Sequence, residues 1–226
     1  MTALSKILDA LEKESGAPIA AEPKGPLAQV LYENVAYLAS DEKRAAAFDA
    51  LRKRVGLDAK KILAAPPSRL REATALGGIM PDLRVGKLLR IAEIALHDFG
   101  GDLRPVLELP LARAKKALMK FPSIGAPGAE KILMLAGSHA VLALDSNALR
   151  VLLRLGYGEE KKSYAQSHAL TQQAAAAELP QDAKKLSRAF RLLRRHGQEV
   201  CRRNRPLCPS CAVRKSCRFY REGVPR

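Results

Sequence analysis

All four cysteines of this 226-residue chain fall between positions 201 and 217, spaced C-x6-C-x2-C-x5-C as Cys201, Cys208, Cys211 and Cys217. No other feature constrains the fold as tightly, because four thiols this close in sequence bind the carboxyl-terminal stretch around one centre. A chain of this length buries a substantial core without covalent staples, so the thiols are not compensation for a thin interior. The amino-terminal "MTALSKILDALEKE" is amphipathic and charged, unlike an export signal, and the longest apolar runs, "ILMLAG" and "AVLAL", fall far short of a bilayer span. The expectation is a soluble cytoplasmic chain with no membrane partner. In a reducing compartment, clustered cysteines serve as metal or cluster ligands in preference to disulfides. Four thiolates suit a structural zinc ion or a 4Fe-4S cluster. Zinc ribbons present two close pairs, and here only Cys208 and Cys211 are close, so the spacing leans toward the cluster.

The formal net charge of +16 exceeds what solubility requires and points to a polyanionic partner, nucleic acid ahead of membrane. From Asp182 to Arg226 there are 14 Lys and Arg against 3 Asp and Glu, which puts the excess in the segment that carries the thiols.

Helical periodicity dominates the rest. Leu4, Ile7, Leu8 and Leu11 make one stripe; Leu27, Val30, Leu31, Asn34, Val35 and Leu38 make another. Alanine and leucine are abundant and tryptophan is absent. β-Branched runs bounded by turns are missing, so the fold class expected is all-α. Turn signals fall at 15–26, 65–68, 77–82, 99–105, 121–128, 156–160 and 179–182. The four histidines, His97, His139, His168 and His196, lack paired ligand spacing and read as surface or helix-end residues.

With "HGQEVC" leading into it, the cysteine pattern resembles the endonuclease III type of DNA base-excision glycosylase, the cluster-bearing branch of the helix-hairpin-helix superfamily. Two further segments carry the resemblance in the same order along the chain. "FPSIGAPGAEKILMLAG" (121–137) is similar to the family's hairpin, although Ser123 replaces a common glycine, and "LALDSNALRVLLRLG" (142–156) is similar to the segment with the catalytic aspartate. The resemblance implies a two-lobed fold: a six-helix barrel domain over 27–139 that ends in the hairpin, and a 4Fe-4S cluster domain formed by 1–26 with 140–226. Asp145 would stand near the cleft between the lobes. It also implies a monomer acting on double-stranded DNA with a damaged or mismatched base, in the nucleoid. Arg202, Arg203 and Arg205 would meet phosphates from the loop after the first cysteine, giving affinity without sequence information. Backbone N–H groups near Ile124, Gly125 and Gly128 would hold another phosphate at a helix start, with Lys131 nearby.

Breaking a bond between base and deoxyribose builds positive charge on the sugar, which a carboxylate at Asp145 would stabilise while activating water. Asp145 also suits an N-cap, and both roles are compatible. The family flips the reacting nucleotide out of the duplex and fills the gap with wedge side chains. By position, Leu38, Ile79 and Met80 are candidates, although Leu38 also fits the core stripe of its helix. Strand-cleaving relatives carry a lysine where this sequence has Pro127, a residue suited to a helix's first turn. The expectation is therefore a monofunctional glycosylase using water, with Lys131 the alternative amine one turn away. Glu33 aligns with a glutamate that adenine-mismatch relatives use to protonate the departing base, and it also reads as a surface residue. Tyr37, one turn along, would line the same pocket. Two rivals stand beside the enzyme: a non-catalytic Fe-S DNA-binding or redox-sensing protein on the same scaffold, and a zinc-stabilised nucleic-acid binder.

Overall fold

A computed structural model of the protein describes residues 3–15 and 22–223. In chain order its α-helices are α1 (Ala3–Ser15), α2 (Pro26–Asn34), α3 (Asp41–Arg54), α4 (Ala59–Ala64), α5 (Pro67–Ala75) and α6 (Pro81–Phe99). After them come α7 (Leu111–Leu118), α8 (Ala126–Leu135), α9 (Ser146–Leu155), α10 (Tyr164–Ala176), α11 (Ala183–Glu199) and α12 (Arg218–Arg221). Among the described residues the only β pairing is one isolated bridge between Tyr37 and Gly78. The fold is all-α, as the composition indicates. Half of the turn signal at 15–26, positions 16–21, lies outside the described residues. The chain divides into two compact units, Glu22–Ala136 and the remainder, in which the amino-terminal stretch joins Gly137 onward.

In the first unit α6 is the central rod, against which α2, α4 and α5 pack. Pro81 opens α6 where a missing N–H is harmless, and Gly100 closes it in the left-handed conformation. Leu88, Ile91, Ala92 and Ala95 form its buried face. Full burial of a leucine or isoleucine contributes about 1.5–3 kcal/mol, so this face accounts for much of the unit's cohesion. α3 has acids in its first turn and Arg52, Lys53 and Arg54 in its last, an arrangement that complements the helix dipole.

α2 stops at Asn34 and does not run on through Leu38, which corrects the stripe read from the sequence. The Arg44 guanidinium donates to the carbonyls of Tyr32 and Glu33, 3.2 Å each, which satisfies the end of the helix. The chain then turns so that the Tyr37 N–H donates to the Gly77 carbonyl at 2.9 Å. Leu38 consequently leaves the core; it adopts φ 48° and is 76% exposed. Tyr37, also exposed, is not a turn along the helix from Glu33. Glycines make this close passage possible: a Cβ on Gly77 would sit 2.4 Å from the Val35 carbonyl oxygen, and one on Gly78 2.5 Å from that of Tyr37.

In the second unit α9 pairs with α11, α1 lies along α11, and α10 and α12 pack on α9. Leu149, Val151 and Leu152 of α9, Leu186, Phe190 and Leu193 of α11, and Leu4, Leu8 and Leu11 of α1 are all buried. α11 passes close to α9 at Gly197, where an added Cβ would lie 2.8 Å from the Asn147 carbonyl oxygen. Gly197→Ala therefore forces the two helices apart and is expected to cost about 1–3 kcal/mol, measured by denaturant titration.

Candidate functional site

The four cysteines line a single pocket, together with Arg154 and His196. Cys201 follows α11 and donates its backbone N–H to the His196 carbonyl at 2.7 Å. Arg154 Nη1 stands 3.3 Å from Cys201 Sγ, and the Cys217 thiol donates to the Arg154 carbonyl at 3.3 Å. His196 Nε2 lies 3.6 Å from Cys211 Sγ. Against the surface role expected for the histidines, His196 and His168 are buried; the His196 ring pairs with Glu14 at 3.5 Å and the His168 Nε2 meets the Leu144 carbonyl at 3.2 Å. Burial pushes the Cys211 thiol up to about 11 and raises Cys208 as well. Metal uptake by such thiols must release their protons. Among the described residues, no three His, Cys, Asp or Glu side chains converge closely enough to hold one ion.

Two α9 arginines fix the backbone after Cys201. Arg150 donates to the carbonyls of Gly197 (2.6 Å) and Cys201 (3.0 Å), and Arg154 to those of Arg202 (2.8 Å) and Arg203 (3.1 Å). Arg202, Arg203 and Arg205 are exposed on this anchored loop, and Arg205 has φ 52°.

Asp145 is the N-cap of α9. Its Oδ1 accepts from the N–H groups of Asn147 (3.0 Å) and Ala148 (2.8 Å), and its Oδ2 accepts from Arg194 Nε at 3.0 Å. A carboxylate has about four acceptor positions, so this one is oriented by three bonds while keeping capacity for another. Arg194 is steadied in turn by Gln198 Oε1 at 3.3 Å, one turn along α11.

The hairpin enters α8 through Gly125, with Pro127 in the first turn. Ser123 adopts φ 61°, which explains why a glycine suits this position, and Lys87 Nζ donates to its hydroxyl at 2.8 Å. Ser123→Gly removes about 1–2 kcal/mol of left-handed strain, partly offset by glycine's greater chain entropy. A net gain of about 0.5–1 kcal/mol is expected, seen as a small rise in melting temperature. The Ile124 N–H is not open to an anion, contrary to the sequence reading: it donates to the Phe121 carbonyl at 3.2 Å, and the side chain is buried. Helix geometry instead leaves Ala126 and Gly128 as first-turn N–H donors without intrahelical acceptors. Lys131, on the same helix, forms an ion pair with Glu33 Oε1 at 2.7 Å, and Asn34 Nδ2 donates to the Pro122 carbonyl at 2.9 Å. The last turn of α2 is thus clipped to the hairpin.

Ile79 and Met80, each 53% exposed, follow the glycine pair that passes Tyr37, and Met80 has φ 57°. Beneath them Arg84 is 2% exposed and donates Nη2 to the carbonyls of Thr74 (2.6 Å) and Gly78 (2.9 Å). Burial lowers its pKa. The structure thus brings Leu38 and Tyr37 beside the Ile79–Met80 loop.

No family model matches the chain. Endonuclease III of Thermotoga maritima is 25% identical over 135 residues, 60% of this chain and 56% of that protein, little more than half the relative's length. Endonuclease III of Sulfolobus acidocaldarius is 22% identical over 199 residues, 88% of this chain and 82% of the relative. A trapped endonuclease III–DNA covalent intermediate superposes with TM-score 0.76 at 17% identity, covering 100% of both chains. The chain has the endonuclease III-type helix-hairpin-helix fold. A thermostable thymine-DNA glycosylase shares the fold, with TM-score 0.75 at 20% identity over 97% of this chain and 95% of its own.

The chain also holds residues that its sequence did not single out. Arg194 carries no local motif, and its partner Asp145 is far away in sequence. Arg84 reads as a solvated charge on an amphipathic helix until the 74–78 backbone closes over it.

Proposed function

We propose that the protein is a DNA glycosylase of base excision repair that hydrolyses the bond between deoxyribose and a damaged or mismatched base, with Asp145 as the reacting carboxylate. One observation carries this reading: a carboxylate oriented by its own helix start and by Arg194, on a fold shared with a DNA-bound endonuclease III. An anion held this rigidly stabilises a sugar cation without reorganising as charge develops. Its remaining acceptor capacity suits a water proton.

Water as nucleophile is favoured over an amine. Pro127 has no nucleophile, and an ammonium at Lys131 held by Glu33 at 2.7 Å has no lone pair to attack with. Glu33 paired in this way serves as an anchor for the hairpin. The exposed Leu38, Ile79 and Met80 would take the place of the departed nucleotide, while Tyr37 borders them.

The residues suit a 4Fe-4S cluster. Four thiols around a shared pocket, with only Cys208 and Cys211 close in sequence, suit a polynuclear centre better than the two close pairs of a zinc ribbon. Cys201, Cys208, Cys211 and Cys217 would hold it, and its part would be structural, fixing the loop that carries Arg202, Arg203 and Arg205.

Incubation with duplexes containing uracil, hydroxymethyluracil, hypoxanthine, alkylated purines, oxidised pyrimidines or mismatches tests the activity. The expected result is release of one base class, with strand breaks seen only after alkali. Breaks without alkali, trapped as a borohydride adduct, would instead establish an amine nucleophile. No release from any substrate despite tight duplex binding would favour the non-catalytic rival.

A further inference from the structure

Beside α9 lies a second recess of about 550 Å³ that the proposed chemistry does not use. It runs from Ser146, next to Asp145, to Arg203 in the cysteine loop, and Leu149 and Leu153 contribute apolar lining. Arg150, Arg154, Lys161, Lys162, Arg203 and Arg218 line it, with only Glu160 and Glu222 as lining acids. Much of this positive charge is not cancelled. The Arg150 and Arg154 guanidinia are held largely by carbonyl oxygens, which satisfy hydrogen bonds without neutralising charge. Arg218 meets Glu222 only at 3.9 Å. Lys161 does pair with Glu159 at 2.5 Å, but both side chains are solvent-exposed, where such a pair contributes little.

Aromatic faces border the same recess. Tyr164 is 54% exposed, and Phe219 lies beneath the Arg154 guanidinium, which stands 4.6 Å from the ring centre. A cationic groove with an apolar lining and aromatic faces is how proteins hold unpaired nucleic acid, whose phosphates meet the cations and whose bases stack. A paired duplex presents no free base faces and is too broad for a recess of this size. We propose that this groove binds a short unpaired DNA strand continuing away from the reacting nucleotide. The direction of the strand rests on Asp145 marking the reaction centre; the binding itself does not.

The test uses the full chain and a fluorescent oligothymidylate, with affinity measured between 50 and 200 mM salt, concentrations taken from the range over which phosphate contacts are resolved. Lys161→Glu with Lys162→Glu should weaken binding by about tenfold or more and flatten the salt slope by about 1.4, the value for two single-strand phosphate contacts. Tyr164→Ala should cost about fivefold or more through lost stacking. Blunt-duplex binding, base release and melting temperature should stay close to the starting protein. Unchanged oligothymidylate affinity in the double variant overturns the proposal. So does a Tyr164→Ala protein that binds normally while heparin competes as well as DNA, since the groove is then a general polyanion site. A chain that binds oligothymidylate through these residues but releases no base would retain the groove and refute the glycosylase reading, so the two failures are distinguishable.

Discussion

Asp145→Asn is expected to lower the single-turnover rate of base release by about 10²–10³-fold while duplex affinity and helix content are retained. Asparagine caps a helix about as well as aspartate, so the bonds to the Asn147 and Ala148 N–H groups can persist. The negative charge is lost, and with it the stabilisation of the sugar cation. Arg194→Ala separates orientation from charge, because it removes the bond to Oδ2 and leaves the carboxylate in place. It should slow the single-turnover step by about tenfold with little change in duplex affinity, and Arg194→Lys should recover part of the rate. An Asp145→Asn protein that releases base at the original rate would remove the central assignment.

Cys211→Ser has the second large effect expected. Serine is a poor ligand for iron, and Cys211 lines the pocket it shares with the other three cysteines. Iron content and visible absorbance should fall to near background after anaerobic purification. Duplex affinity should drop on the order of tenfold or more, because a loosened loop no longer presents Arg202, Arg203 and Arg205 together. Original protein that is colourless and carries zinc would overturn the cluster while leaving the loop's phosphate role to be measured separately.

The sequence made legible what is local. Asp145 before an amphipathic run signals a helix start, and Asp145 is the N-cap of α9. Pro127 signals a first turn and occupies one. Ser123 stands where the family commonly has glycine, and the structure supplies the reason, a φ of 61°. What stayed hidden depends on partners distant in sequence. α2 carries no glycine or proline at its end, so its periodicity seemed to reach Leu38; the stop comes from Arg44 capturing the Tyr32 and Glu33 carbonyls. Ile124 was misread for a related reason: periodicity marks a helix start but not which N–H is already bonded back to Phe121. Arg194 is one of several cations on α11, and nothing in its neighbours distinguishes it from those facing water. His196, as a lone histidine near a helix end, gave no sign of being enclosed beside Glu14 and Cys211.

α9 has Asp145 at its first end, while Arg150 and Arg154, farther along, grip the backbone from Cys201 to Arg203. At about 1.5 Å of rise per residue, those grips act at lever distances of roughly 7–14 Å from the carboxylate. Disorder in the cysteine loop would therefore reach the same helix whose first turn Asp145 caps.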